Sequence, residues 1–124
     1  MVRNIKKVTA LDAVTETTTS NGIAVQGAKK ITFAFTRADH GSGNTVFTVM
    51  GTIDGTNYYA LNKLVKNVAN SNSEQLTRVA SITLSSNTTE IVSLDLQHDS
   101  FEKIKVKATE TTDGTHTAKV LIQY

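Results

Sequence analysis

The chain contains no cysteine, no proline and no tryptophan. Without cysteine there is no disulfide framework, no thiolate metal site and no cysteine nucleophile. Average usage would put roughly six prolines in a chain of this length. Their absence leaves the turns to glycine and asparagine and removes slow prolyl isomerisation from folding, which suits a protein made in many copies and assembled quickly. Net charge is also small, with 13 Lys+Arg against 11 Asp+Glu and a balance of +2. So weak a field implies neither nucleic acid nor an anionic membrane as a partner. No apolar run approaches the roughly 20 residues of a membrane span. Met1 to Lys7 is charged and no apolar stretch follows, so no secretory signal is expected. The 124 residues are one domain's worth of protein.

What is abundant is threonine, with many Asn and Ser. Thr is β-branched and fits a pleated, half-exposed surface. No segment holds a helical period, whereas period-two alternation recurs. Ile31, Phe33 and Phe35 alternate with Thr32, Ala34 and Thr36. His40 to Asn44 reads as a loop. Phe47, Val49 and Ile53 then lie on one side of a central strand, with Val46, Thr48 and Met50 on the other. Asp54-Gly55 is a hairpin signal, and Tyr58 to Leu64 is its expected returning strand. Val65 to Glu74 is polar and reads as a surface loop. Further strands are expected around Leu76 to Leu84, Val92 to Leu96, Ile104 to Ala108 and Ala118 to Tyr124, with a second Asp-Gly turn at Asp113-Gly114. Seven to nine strands with turn signals every 8–12 residues or so predict an all-β, antiparallel, jelly-roll-like β-sandwich. Residues 21–124 form the sandwich in this reading. Residues 1–20 form an extended arm or an edge strand, centred on Lys7 to Val14 and running into a polar, flexible stretch from Thr15 to Asn21.

Few residues point to chemistry. His40, His98 and His116 all fall in expected turns, each with an Asp within three residues, and read as surface histidines. They lack metal-ligand spacing. No carboxylate pair, nucleophile elbow or glycine-rich phosphate loop is present. The expectation is a protein that is not an enzyme and needs no cofactor or metal. Lys103, Lys105 and Lys107 alternate with Ile104 and Val106 and make a basic stripe, read as a solvated face or as protection of an edge strand. Tyr58 and Tyr59 must point to opposite sides of any strand they share.

The stretch Val46–Leu61 carries a strand–turn–strand pattern, F-x-V-x-G-[ST]-x-D-G-x-x-[WY], through Phe47, Val49, Gly51, Thr52, Asp54, Gly55 and Tyr58 or Tyr59. It resembles hairpins of β-sandwich accessory proteins of tailed-phage virions. That resemblance implies a non-enzymatic virion structural protein, a capsid decoration, head-surface or tail accessory protein. It would be a homo-oligomer, with a trimer favoured, bound to the major capsid protein or another virion protein. Its place would be the virion, after synthesis in the host cytoplasm. In this reading Val8, Leu11 and Val14 are the interface residues of the N-terminal arm. Similar hairpins occur in jelly-roll carbohydrate-binding domains. The alternative is therefore a carbohydrate-binding β-sandwich module with Asn57, Tyr58, Tyr59 and His116 around the ligand, although the tryptophan platform usual in such sites is missing.

Overall fold

The computed structural model describes residues 4–69, 74–97 and 99–124. Twelve strands occur among the described residues. In chain order they are β1 (Ile5–Val14), β2 (Thr18–Thr19), β3 (Ile23–Ala24), β4 (Lys30–Ala38), β5 (Gly43–Thr52) and β6 (Tyr59–Ala60). They continue as β7 (Leu64–Ala69), β8 (Glu74–Val79), β9 (Ile82–Leu84), β10 (Thr88–Leu94), β11 (Lys103–Thr112) and β12 (Thr115–Gln123). Two antiparallel sheets form a sandwich. The first runs β1-β12-β4-β10-β7-β8. The second runs β2-β11-β5-β6, with β3 also on β11 and β9 also on β5.

Alternation decides which side chains meet between the sheets. Ile31, Phe33 and Phe35 of β4, Val120 and Ile122 of β12 and Val92 of β10 line the first sheet's inner face, all almost fully buried. Phe47 and Val49 of β5 and Ile104 and Val106 of β11 answer from the second sheet. Phe35 is the hinge of this packing. Its ring stacks on Phe33 at 5.4 Å and, across the sandwich, on Phe47 at 4.6 Å. Each buried Phe contributes about 1.5–3 kcal/mol through removal from water alone.

The long strands do not return beside themselves. β4 passes to β5, β10 to β11 and β11 to β12 by crossing from one sheet to the other. Asp113-Gly114 is therefore a corner between sheets. Asp54-Gly55 does close a hairpin, but its returning strand β6 is two residues long, pairing Gly51 with Tyr59 and Met50 with Ala60. Other expectations also change. The expected loop from Val65 to Glu74 is strand where it is described: Val65 to Ala69 belong to β7 and Glu74 opens β8, paired from Leu64↔Val79 to Ala69↔Glu74, while residues 70–73 lie outside the described residues. The expected strand from Leu76 to Leu84 is broken, with β8 in the first sheet and β9 in the second. Ile53 is 76% exposed because β5 ends at Thr52.

The N-terminal segment is an edge strand. β1 pairs with β12 from Ile5↔Gln123 to Val14↔His116, with register shifts between Thr9 and Leu11 and between Leu11 and Val14. Leu11 is buried in the chain's own core, and Val8 and Val14 pack partly against it. These three are thus engaged within the chain. The stretch expected to be flexible is also tied down. Ser20 donates its backbone N–H to Val106 O at 2.8 Å, and its Oγ accepts the Val106 N–H at 2.9 Å.

Gly51 is fixed by space. A Cβ there would lie 2.8 Å from Phe101 Cδ1 and 2.9 Å from Leu61 Cδ1. Gly51→Ala is expected to destabilise the fold by about 1–3 kcal/mol through overpacking, read as a lowered denaturant midpoint at unchanged slope. A midpoint equal to that of the native chain would mean that Phe101 and Leu61 yield freely.

Candidate functional site

The inward phase of four strands continues past the last apolar residue. Ile31, Phe33 and Phe35 lead to Arg37 on β4, and Ile122, Val120 and Ala118 lead back to His116 on β12. Facing them are Thr45 of β5 and Glu110 of β11. Arg37 pairs with His116 in the first sheet, and Thr45 with Glu110 in the second. One end of the sandwich is thus closed by a polar layer, in which Arg37, Thr45 and His116 are all buried.

Arg37 spreads its guanidinium over main-chain carbonyls. Nη1 donates to Gly43 O at 2.9 Å and Leu84 O at 3.3 Å. Nη2 donates to Ser42 O at 2.8 Å and Asp113 O at 2.9 Å. Arg37 Nε is buried without a partner among the described residues. From outside, the Asp113 carboxylate accepts the Gly41 N–H at 3.0 Å and the Ser42 N–H at 3.2 Å, and it lies 3.5 Å from Arg37 Nη2. Those two N–H donors, with the Arg37 charge behind them, hold the Asp113 carboxyl below its ordinary pKa. Gly114 fits this corner because φ is +124° and a Cβ would lie 3.0 Å from both Arg37 Nε and His116 Cε1. Thr112 also takes a positive φ of 91°, rare for a β-branched residue, so strain is stored at the same corner.

His116 bridges the layer. Its Nδ1 lies 2.9 Å from Thr45 Oγ1 and its Nε2 lies 3.2 Å from Glu110 Oε1. In the tautomer with its proton on Nε2, the ring donates to the Glu110 carboxylate and Nδ1 accepts the Thr45 hydroxyl proton. A hydroxyl, an imidazole and a carboxylate in line have the connectivity of a nucleophile relay. Here Thr45 and His116 are 0% exposed, so no substrate atom reaches the hydroxyl in this conformation. The layer fastens the 39–43 and 113–115 corners and the end of β9 to one another.

The opposite end is organised by the motif read from the sequence. The Thr52 hydroxyl donates to Asp54 Oδ1 at 2.9 Å and accepts the Gly55 N–H at 3.0 Å. Asp54 accepts the backbone N–H groups of Asn57 and Thr56 at 2.8 and 2.9 Å, and the Asn57 side-chain amide at 2.9 Å. These donors, Asn57 foremost, hold the Asp54 carboxyl far below its usual pKa. Asn57 is thereby committed to its own loop. Tyr58 lies against Lys105, whose Nζ is 4.2 Å from the ring centroid, and Tyr59 is 64% exposed.

The four residues of the carbohydrate alternative do not converge. Asn57, Tyr58 and Tyr59 follow the C-terminal end of β5, whereas His116 sits over Thr45 near its start. Six residues of strand separate Thr45 from Gly51, about 20 Å. His116 is also not a surface histidine, because it occupies an inward position on β12. His98 lies outside the described residues. Among the described residues no cluster of three His, Asp or Glu that could hold a metal ion occurs.

Both sheets present outer faces with distinct chemistry. On the first, Ile91 is 68% and Leu121 40% exposed, in a groove of about 510 Å³ that also involves Ala34, Lys7 and Lys119. On the second, Lys103, Lys105 and Lys107 stand in a row.

No family model matches the chain, and no curated protein matches it in sequence. In three dimensions it is similar to the crystal structure of the SPBc2 prophage-derived protein YomS. That likeness has a TM-score of 0.71 and 16% identity, and covers 100% of this chain and 96% of the other. The two share a fold.

Two outcomes are expected at the polar layer. Arg37→Lys keeps the charge but cannot reach four carbonyls, so it should cost about 2–4 kcal/mol, seen as a lower Tm. Asp113→Asn should also lower the Tm at pH 7. Because the native carboxyl is depressed, its contribution is complete above the ordinary value of 3.8 and disappears as pH falls through the lowered one. The Tm gap between native chain and variant therefore narrows below pH 3.8; a gap unchanged down to pH 2 would show that charge is not its cause.

Proposed function

We propose, from a fold shared along the whole chain with a prophage-derived protein, that this protein is a structural component of a phage virion. That full-length likeness is the observation that carries the reading. In this role the chain is not an enzyme. It works as a decoration, head-surface or tail accessory protein through symmetric contacts with the major capsid protein or another virion protein. Weak contacts repeated over a symmetric particle become strong through avidity.

The outer face of the first sheet supports the reading. Ile91 and Leu121 project from the solvent side of β10 and β12, where an antiparallel sheet ordinarily carries polar residues. Apolar side chains gathered on such a face mark an interaction surface. Further copies of this chain, related by a three-fold axis, are the occupants favoured here, giving a trimer.

Purified phage particles from the host that carries the gene should contain the chain in many copies, and the isolated chain should elute as a trimer by light scattering. Ile91→Asp should shift the trimer to monomer while leaving the monomer's own fold intact, because Ile91 is 68% exposed. Absence of the chain from the particles would overturn the reading.

A further inference from the structure

β11 lies in the interior of the second sheet, with β2 and β3 on one side and β5 on the other. Its outward side chains are Lys103, Lys105 and Lys107, each half-buried beside fully buried Ile104 and Val106. Edge strands use lysine to discourage pairing with other chains. β11 has no free edge, so that explanation does not apply. Alternate residues of a strand place the three lysines about 6.8 Å apart in a straight row.

None of the three forms an ion pair among the described residues, where Lys63, Lys66, Arg37 and Arg78 all do. The register sets Lys105 opposite Met50 and Lys107 opposite Thr48, neither of which offers a carboxylate. Lys105 is also positioned: its Nζ lies 4.2 Å from the centroid of the Tyr58 ring, a cation–π contact. Tyr58 is in turn fitted to the surface, since a Cβ on Gly22 would lie 2.7 Å from its hydroxyl. Three like charges in a row along one strand repel one another and are relieved by opposite charge.

Building on the contact-protein reading above, we propose that the outward face of β11 docks an acidic surface of a partner protein, with Lys103, Lys105 and Lys107 meeting carboxylates. Several features select protein over nucleic acid. The row contains no arginine to fork onto a phosphate. Tyr58, the aromatic ring beside it, is engaged by Lys105 and so is not free as a stacking platform. Met50, at the centre of the face, adds an adaptable apolar contact of the kind protein interfaces favour.

The test uses the full chain and its Lys105→Glu/Lys107→Glu variant, with equal Tm as the control for folding. The first probes are poly-L-glutamate and an oligothymidylate of equal charge. Poly-L-glutamate should bind the native chain at low salt, weaken as salt is raised, and bind the variant more than about tenfold more weakly. Equal binding to both chains, or tighter binding of the oligothymidylate, would overturn the proposal. The second probe is phage particles that lack the chain. Rebinding of the native chain but not the variant supports it. Rebinding of both overturns it and leaves the virion reading standing. Rebinding of neither, with poly-L-glutamate still selective for the native chain, supports the acidic-partner surface and removes the virion reading.

Discussion

Four main-chain carbonyls converge on the guanidinium of Arg37, and the closed end of the sandwich depends on that convergence. The need arises from connectivity. Strands that cross between sheets turn corners over the end of the core, where carbonyls at or beyond the last rungs of the ladders call for a donor from the side. An apolar plug would leave them unpaired at a cost of about 1–3 kcal/mol each. A guanidinium offers five N–H donors in a plane and can serve several corners at once. Burying the charge costs several kcal/mol. Charge-assisted hydrogen bonds and the nearby Asp113 carboxylate offset that cost. The strained φ of Thr112 persists because the corner around it is held from inside and outside together.

The two Asp-Gly dipeptides show how the same local chemistry serves different ends. Asp54 turns inward on its own loop, accepting from residues two and three positions ahead. Its hydrogen bonds call on no residue outside the 52–57 segment. Asp113 reaches instead to Gly41 and Ser42, more than 70 positions away. Its carboxylate stitches β11–β12 to β4–β5. The first turn is local and the second is tertiary, and the dipeptide alone does not distinguish them.

That contrast explains how much was legible in the sequence. Strands with one apolar face were readable, because alternation is a local property: β4, β5, β11 and β12 all lie where their patterns placed them. The sandwich architecture followed from their spacing. β7 was not readable, because the Asn- and Ser-rich run after Leu64 shows no sustained alternation, and β8 was read only from Leu76 onward, as one strand with β9. The arm reading and the edge-strand reading of residues 1–20 look alike in sequence; pairing with β12 chose the edge strand. The polar layer was legible in principle. Arg37 continues the inward phase of Phe33 and Phe35, and His116 continues that of Ala118 and Val120. Extending the alternation one step past the apolar residues would have placed both inside, whereas turn context suggested surface histidines.

Chemistry and closure thus occupy opposite parts of the molecule. The polar groups with the richest hydrogen bonding, Arg37 and His116 at one end and Asp54 at the other, are taken up by the chain itself in all but Arg37 Nε. A group whose donors and acceptors are all matched internally has little left to offer a ligand. Unspent potential lies instead on the two broad outer faces. One carries exposed aliphatic side chains, and the other carries lysines that form no ion pair among the described residues. A sandwich with locked ends and contrasting faces is suited to lie between surfaces. Self-association through the aliphatic face would leave the basic face turned outward toward a different partner. The division of contacts is then set by which side of each sheet faces away from the core.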